Sequence, residues 1–134
     1  MRDRLIGAWR LETLKRFRDG KFDREPMGHG AMGRLIYDSG GVMSAFLMSQ
    51  SFKRGEAIQT WDAFLSYSAQ WSLRDESTVV HELDYCSIPA LIGTPLVRFI
   101  SWRGDNSMML STAPHRTKAG QQSHDELIWQ RTTG

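Results

Sequence analysis

Tyr67 to Tyr85, YSAQWSLRDESTVVHELDY, is the stretch whose reading decides the fold. Apolar residues alternate along both arms: Tyr67, Ala69, Trp71 and Leu73 on the first, Val79, His81, Leu83 and Tyr85 on the second. That is the period of a strand with one buried face. Arg74-Asp75-Glu76-Ser77 lies between the arms and suits a tight reversal. The stretch therefore predicts a β-hairpin. Its alternation places His81 on the apolar face between Val79 and Leu83, and a buried imidazole without a partner costs free energy. A neighbouring side chain, a bound water or a ligand must satisfy it, and the functional question turns on which.

Working outward, the same rhythm recurs. Gly33 to Met48 reads as a hairpin turning at Asp38-Ser39-Gly40-Gly41, and Thr94 to Arg103 with Ser107 to Thr112 forms another around Gly104-Asp105-Asn106. Leu5 to Leu14 is a strand with Gly7, Trp9, Leu11 and Thr13 on one side, and Glu126 to Arg131 is the closing strand. Arg18 to Met32, rich in Gly, Asp and Pro, reads as a loop across one mouth. Helix formers with Trp61, Phe64 and Leu65 predict a short helix over Gly55 to Ser66, placed to lid a barrel end. Cys86 to Gly93 is an apolar loop suited to an entrance lip or to folding over the core, and His115 to Ser123 is a polar connection. The total is roughly eight strands with hairpin-length turns and no βαβ alternation. This predicts an all-β, up-and-down antiparallel barrel whose interior holds either a small ligand or its own side chains.

Composition narrows the function. A chain of 134 residues is read as one domain, 1–134, with enough length to bury a core. The formal charge of +2 is spread between acidic residues, which argues against a nucleic-acid surface. The first thirty residues are charged and hold no apolar run for a signal peptide or membrane span, and the single Cys86 suits a reducing compartment, so a cytoplasmic protein away from membranes is expected. Gly28-His29-Gly30-Ala31-Met32-Gly33 matches the dinucleotide fingerprint, but Pro26 precedes it and a strand-like run follows it where a helix should open. His29, His81, His115 and His124 are far apart, so no metal is expected, and no cofactor either.

Several stretches in order resemble the lipocalin-like domain family, small relatives of the calycins. They are Leu5 to Leu11, Gly33 to Tyr37 with Gly41 to Ala45, Tyr67 to Leu73, Val79 to His81, Gly93-Thr94 with Val97-Arg98, Gly104-Asp105 with Leu110-Ser111, and Leu127 to Arg131. The resemblance implies a cup-shaped barrel with a ligand cavity, and an N-terminal Trp9 packed by Arg131 from the last strand. It implies no single reaction, since related barrels include carriers as well as cyclases and isomerases.

Within that frame the chemistry-bearing candidates are His81, Arg98 and Tyr67. Alternation across the third hairpin turns Arg98, Ile100 and Trp102 to the face shared by Met108 and Leu110. An inward arginine stays charged and needs a carboxylate, several acceptors or an anionic ligand. His81 has the intrinsic pKa for proton transfer near neutrality, and Tyr67 and Tyr37 offer hydroxyl donors. Trp71, Ile100, Trp102, Met108 and Phe46 would supply an apolar lining or fill the barrel, and Ser44 is a polar candidate. The phase of the second hairpin is open, because Ser44 and Phe46 or Met43, Ala45 and Leu47 face inward. The preferred expectation is a small hydrophobic, oxygen-bearing molecule undergoing cofactor-independent cyclisation or isomerisation. The alternatives are a non-catalytic carrier and a side-chain-filled interaction scaffold, with a homodimer compatible with each.

Overall fold

The computed structural model describes residues 2–56 and 62–132. Ten strands run in chain order among them: β1 (Gly7–Arg18), β2 (Lys21–Arg24), β3 (Met32–Tyr37), β4 (Val42–Met48), β5 (Phe64–Asp75), β6 (Thr78–Cys86), β7 (Pro95–Trp102), β8 (Ser107–Thr112), β9 (His115–Arg116) and β10 (Gln122–Arg131). Two short helices, α1 (Arg2–Leu5) and α2 (Gln50–Lys53), accompany them. Each wall strand pairs antiparallel with the next, in the order β1, β3, β4, β5, β6, β7, β8, β10, and the β1–β10 pairing closes the eight-stranded barrel. β2 and β9 are ribbons added at the rim on β1 and β10. The expected up-and-down barrel is therefore the fold. No described helix is long and apolar enough to cross a membrane.

The alternation predicted for the central hairpin holds until one extra residue interrupts it. Trp71 lies opposite His81 and Ala69 opposite Leu83, but Ser68 pairs with Tyr85, so Asp84 is a bulge. A single inserted residue exchanges the faces. Tyr85, expected inside, is consequently 73 % exposed, and Cys86 packs against the core in its stead. The reversal is also tighter than expected: Asp75 pairs with Thr78, and the Asp75 carboxylate accepts from the Ser77 backbone N–H.

Other expectations shift in the same way. A register shift between Leu11 and Thr13 turns Leu14, rather than Thr13, into the core. The segment from Arg18 is not all loop, since Lys21–Arg24 folds back as β2. The predicted helix over Gly55 to Ser66 is replaced at its end by strand, because the β4–β5 ladder continues to the Met48–Phe64 pair. Residues 57–61, including Trp61, lie outside the described residues. The helix found here is α2, earlier in the chain, where the Ser49 hydroxyl caps the Phe52 N–H at 3.1 Å. The closing strand begins at Gln122 rather than Glu126, and β9 interrupts the polar connection before it.

The Gly7-x-Trp9 pattern closes the barrel base. Gly7 has φ +126°, and a Cβ there would lie 3.2 Å from Arg131 Nη1. Glycine leaves room for that guanidinium to sit 4.2 Å over the Trp9 ring while donating to the Ile6 and Arg4 carbonyls at 3.0 and 2.6 Å. Trp9 donates to the Leu5 carbonyl at 3.0 Å. From α1, Arg4 covers Trp102 at 4.0 Å and Arg2 covers Trp71 at 4.3 Å. The base is thus a sealed layer of indoles under three guanidinium groups.

Candidate functional site

Above that layer the inward side chains become smaller. Ala45 on β4 and Ala69 on β5 stand where their strand neighbours are Met43, Leu47, Tyr67 and Trp71, and both are buried. A cavity of about 110 Å³ opens in this half, away from the base. Leu14, Leu35, Ala45, Leu47, Leu65, Leu110, Leu127 and Trp129 form its apolar wall, and Pro26 and Met27 from the segment after β2 reach its rim. An apolar cavity of about 150 Å³ accepts benzene, so this one suits a single small ring. Its polar groups are few: Tyr67, His81, Arg98, Thr112 and Asp125.

His81 sits on β6 between Val79 and Leu83 and is 1 % exposed. Tyr37 Oη on β3 lies 2.7 Å from its Nε2, and Tyr67 Oη on β5 lies 2.8 Å from its Nδ1. Side chains therefore satisfy both ring nitrogens. The three groups form one hydrogen-bonded row that starts at the base, where Tyr37 meets Trp71 edge-on with centroids 5.0 Å apart, and ends at the cavity with Tyr67. Burial, reinforced by the Arg98 charge, lowers the His81 pKa to about 3. Burial likewise pushes both tyrosines above their ordinary range, Tyr37 the further, with Arg98 opposing the rise in each. Near neutrality the row is uncharged. His81 does not match the expectation of a proton acceptor working near pH 7, because its imidazolium is too strong an acid in this setting.

Arg98 on β7 faces the same space. Among the described residues no carboxylate lies within ion-pair distance of it, and its Nη1 donates to the Val97 carbonyl at 3.1 Å. The cavity's carboxylate, Asp125, is held instead by Arg16, with Nε–Oδ1 at 2.8 Å and Nη2–Oδ2 at 3.1 Å. Thr112, opposite Arg98 in the ladder, accepts from the Asp125 backbone N–H. The result is an apolar chamber with a cation and a phenol at one side. Such a chamber sets hydrogen-bond donors at one side of an apolar wall.

The structure brings His81, Arg98 and Tyr67 together, with Tyr37 behind them. Trp71, Trp102 and Met108 belong to the packed base and Ile100 to the core, and none of the four lines the cavity. Ser44 and Phe46 face outward, since β4 turns Met43, Ala45 and Leu47 to the interior. Cys86 to Gly93, offered as a lip, contributes nothing to the cavity wall. Leu14, Thr112, Asp125, Leu127 and Trp129 were not anticipated. Asp125 comes from β10 and Thr112 from the end of β8, next to each other in the wall.

Comparison with protein families matches residues 6–132 to the lipocalin-like domain. No curated protein matches the chain. Among solved structures it is similar to a redesigned β-barrel, at 13 % identity and a TM-score of 0.45, over 98 % of this chain and 94 % of that one.

Proposed function

We propose, for a chain that belongs to the lipocalin-like domain family, that the barrel binds a small, ring-sized apolar molecule through one anionic or carbonyl oxygen. The observation that carries this reading is Arg98, a cavity-facing guanidinium without a carboxylate partner among the described residues, beside the Tyr67 hydroxyl. The apolar wall supplies affinity and the two polar groups fix orientation. A charge-assisted hydrogen bond here is worth about 1.5 to 3 kcal/mol. A reducing, cytoplasmic setting suits the lone Cys86 and belongs to the same proposal.

Cofactor-independent isomerisation or cyclisation is the second reading, favoured by the juxtaposition of a guanidinium with a phenolic O–H. Those two groups would stabilise an enolate as it develops. His81 would then orient Tyr67 rather than exchange protons with the substrate, because its imidazolium forms only near pH 3.

Fluorine NMR with 4-fluorobenzoate tests the binding reading. The probe should broaden and shift with the protein, while 4-fluorobenzyl alcohol binds at least tenfold more weakly and Arg98→Met removes the difference. Equal affinity for the two probes would overturn the oxyanion reading. Native mass spectrometry before and after incubation with a cell extract separates the two functions: a retained, unchanged compound means carriage, and release as an isomer means catalysis.

A further inference from the structure

Tyr37, His81 and Tyr67 hold three exchangeable protons between them when uncharged, two phenolic and one imidazole, but share only two hydrogen bonds. One proton is left over, and its position depends on the tautomer. With the proton on Nε2, the imidazole donates to Tyr37 and Tyr67 donates to Nδ1. The spare proton is then that of Tyr37, which is 1 % exposed, lies outside the cavity wall and has no other hydrogen-bond partner among the described residues. With the proton on Nδ1, Tyr37 donates to Nε2, the imidazole donates to Tyr67, and the spare proton is that of Tyr67 at the cavity. Stranding a buried donor is costly enough to bias the tautomers by roughly tenfold or more.

We propose that the interior hydrogen bonds run one way, from Tyr37 through His81 to Tyr67, so that Tyr67 offers its proton to the cavity and Tyr37 is a positioning residue that makes the site select acceptor oxygens. The consequence for ligands rests on the binding reading above, whereas the direction of the row does not. Each link polarises the next, and the terminal phenol becomes a stronger donor than an isolated one. With Arg98 beside it, and with the cavity's carboxylate, Asp125, held by Arg16, that side of the cavity presents donors. It takes a carboxylate, enolate or carbonyl and rejects an amine or ammonium group of the same shape, which brings no acceptor suited to both.

Long-range proton–nitrogen NMR of the ligand-free, 15N-labelled protein near neutral pH reads the tautomer directly, with His81 assigned by the signals missing from His81→Gln. The expected spectrum has Nδ1 protonated and Nε2 bare, and the reverse pattern overturns the proposal. Tyr37→Phe should weaken 4-fluorobenzoate binding by up to about fivefold, although residue 37 does not touch the cavity, and should move the His81 Nε2 signal as that nitrogen loses the hydrogen bond it accepts, with Nδ1 still protonated. An unchanged affinity in that variant overturns the positioning role. A protonated Nδ1 in a protein that binds no 4-fluorobenzoate upholds the direction of the row and overturns the binding reading instead.

Discussion

At the base of the barrel Arg2, Arg4 and Arg131 each lie over an indole and donate to backbone carbonyls, whereas Arg98 in the cavity half meets neither an indole nor a carboxylate among the described residues. The same residue type does two jobs. Where the fold supplies acceptors and an aromatic face, arginine is cement. Where it supplies an apolar chamber and no carboxylate partner among the described residues, the proposed role of arginine is to anchor an anion. The Tyr37–His81–Tyr67 row joins the halves, with one end packed on Trp71 and the other in the cavity wall.

The comparison breaks most visibly at Trp9. Truncation to alanine removes the indole on which Arg131 and the Leu5 turn depend, and chemical denaturation should show a loss of about 3 to 5 kcal/mol. The boundary between the halves responds to pH. His81 has a folded pKa of about 3 against an ordinary value of 6.5, so the unfolded chain binds the extra proton between those values. Stability is therefore full above 6.5 and falls as the pH drops toward 3. The loss should reach roughly 3 kcal/mol between pH 6.5 and 4, and His81→Gln, read by denaturant titration at each pH, should remove that slope. Arg131→Met leaves Trp9 in place but loses the stacked cation and two hydrogen bonds to carbonyls, and thermal unfolding should show about 1 to 2 kcal/mol. Arg98→Met should change stability by less than about 0.5 kcal/mol or raise it, since it removes a half-buried charge that no carboxylate neutralises. A large loss there would erase the distinction between cement and anchor.

Much of this architecture was legible in the sequence because the physics involved is local and periodic. The period-two pattern named the wall strands and the turn residues joined them, while the Trp9–Arg131 pair at the base was legible through the family resemblance alone. The inward placement of His81, Arg98 and Tyr67 followed from alternation alone and holds in the structure. What escaped notice is what alternation cannot carry. The Asp84 bulge turned Tyr85 outward without any change in composition to announce it. The phase of β4 was open because both of its faces are apolar, yet the Tyr37–Met43 pair across the turn decides it once Tyr37 is known to face inward. Tyr37 is the partner of His81 across forty-four positions of sequence, a contact set by closure of the barrel and by no local signal. The cavity's position in one half also depends on closure, since Asp125 reaches it from β10, which pairs with β1, and Thr112 from β8 beside β7.

The central claim is that Arg98 anchors a ligand while Arg131 anchors the fold. Thermal unfolding of the parent protein, Arg98→Met and Arg131→Met, each with and without a saturating excess of 4-fluorobenzoate, tests it in one series. Binding to the folded state alone raises Tm in proportion to the logarithm of ligand excess. The account predicts that Arg98→Met unfolds at or above the parent temperature and no longer responds to the probe, while Arg131→Met unfolds earlier and responds as the parent does. An Arg98→Met protein that unfolds early, or that the probe still stabilises fully, would contradict it.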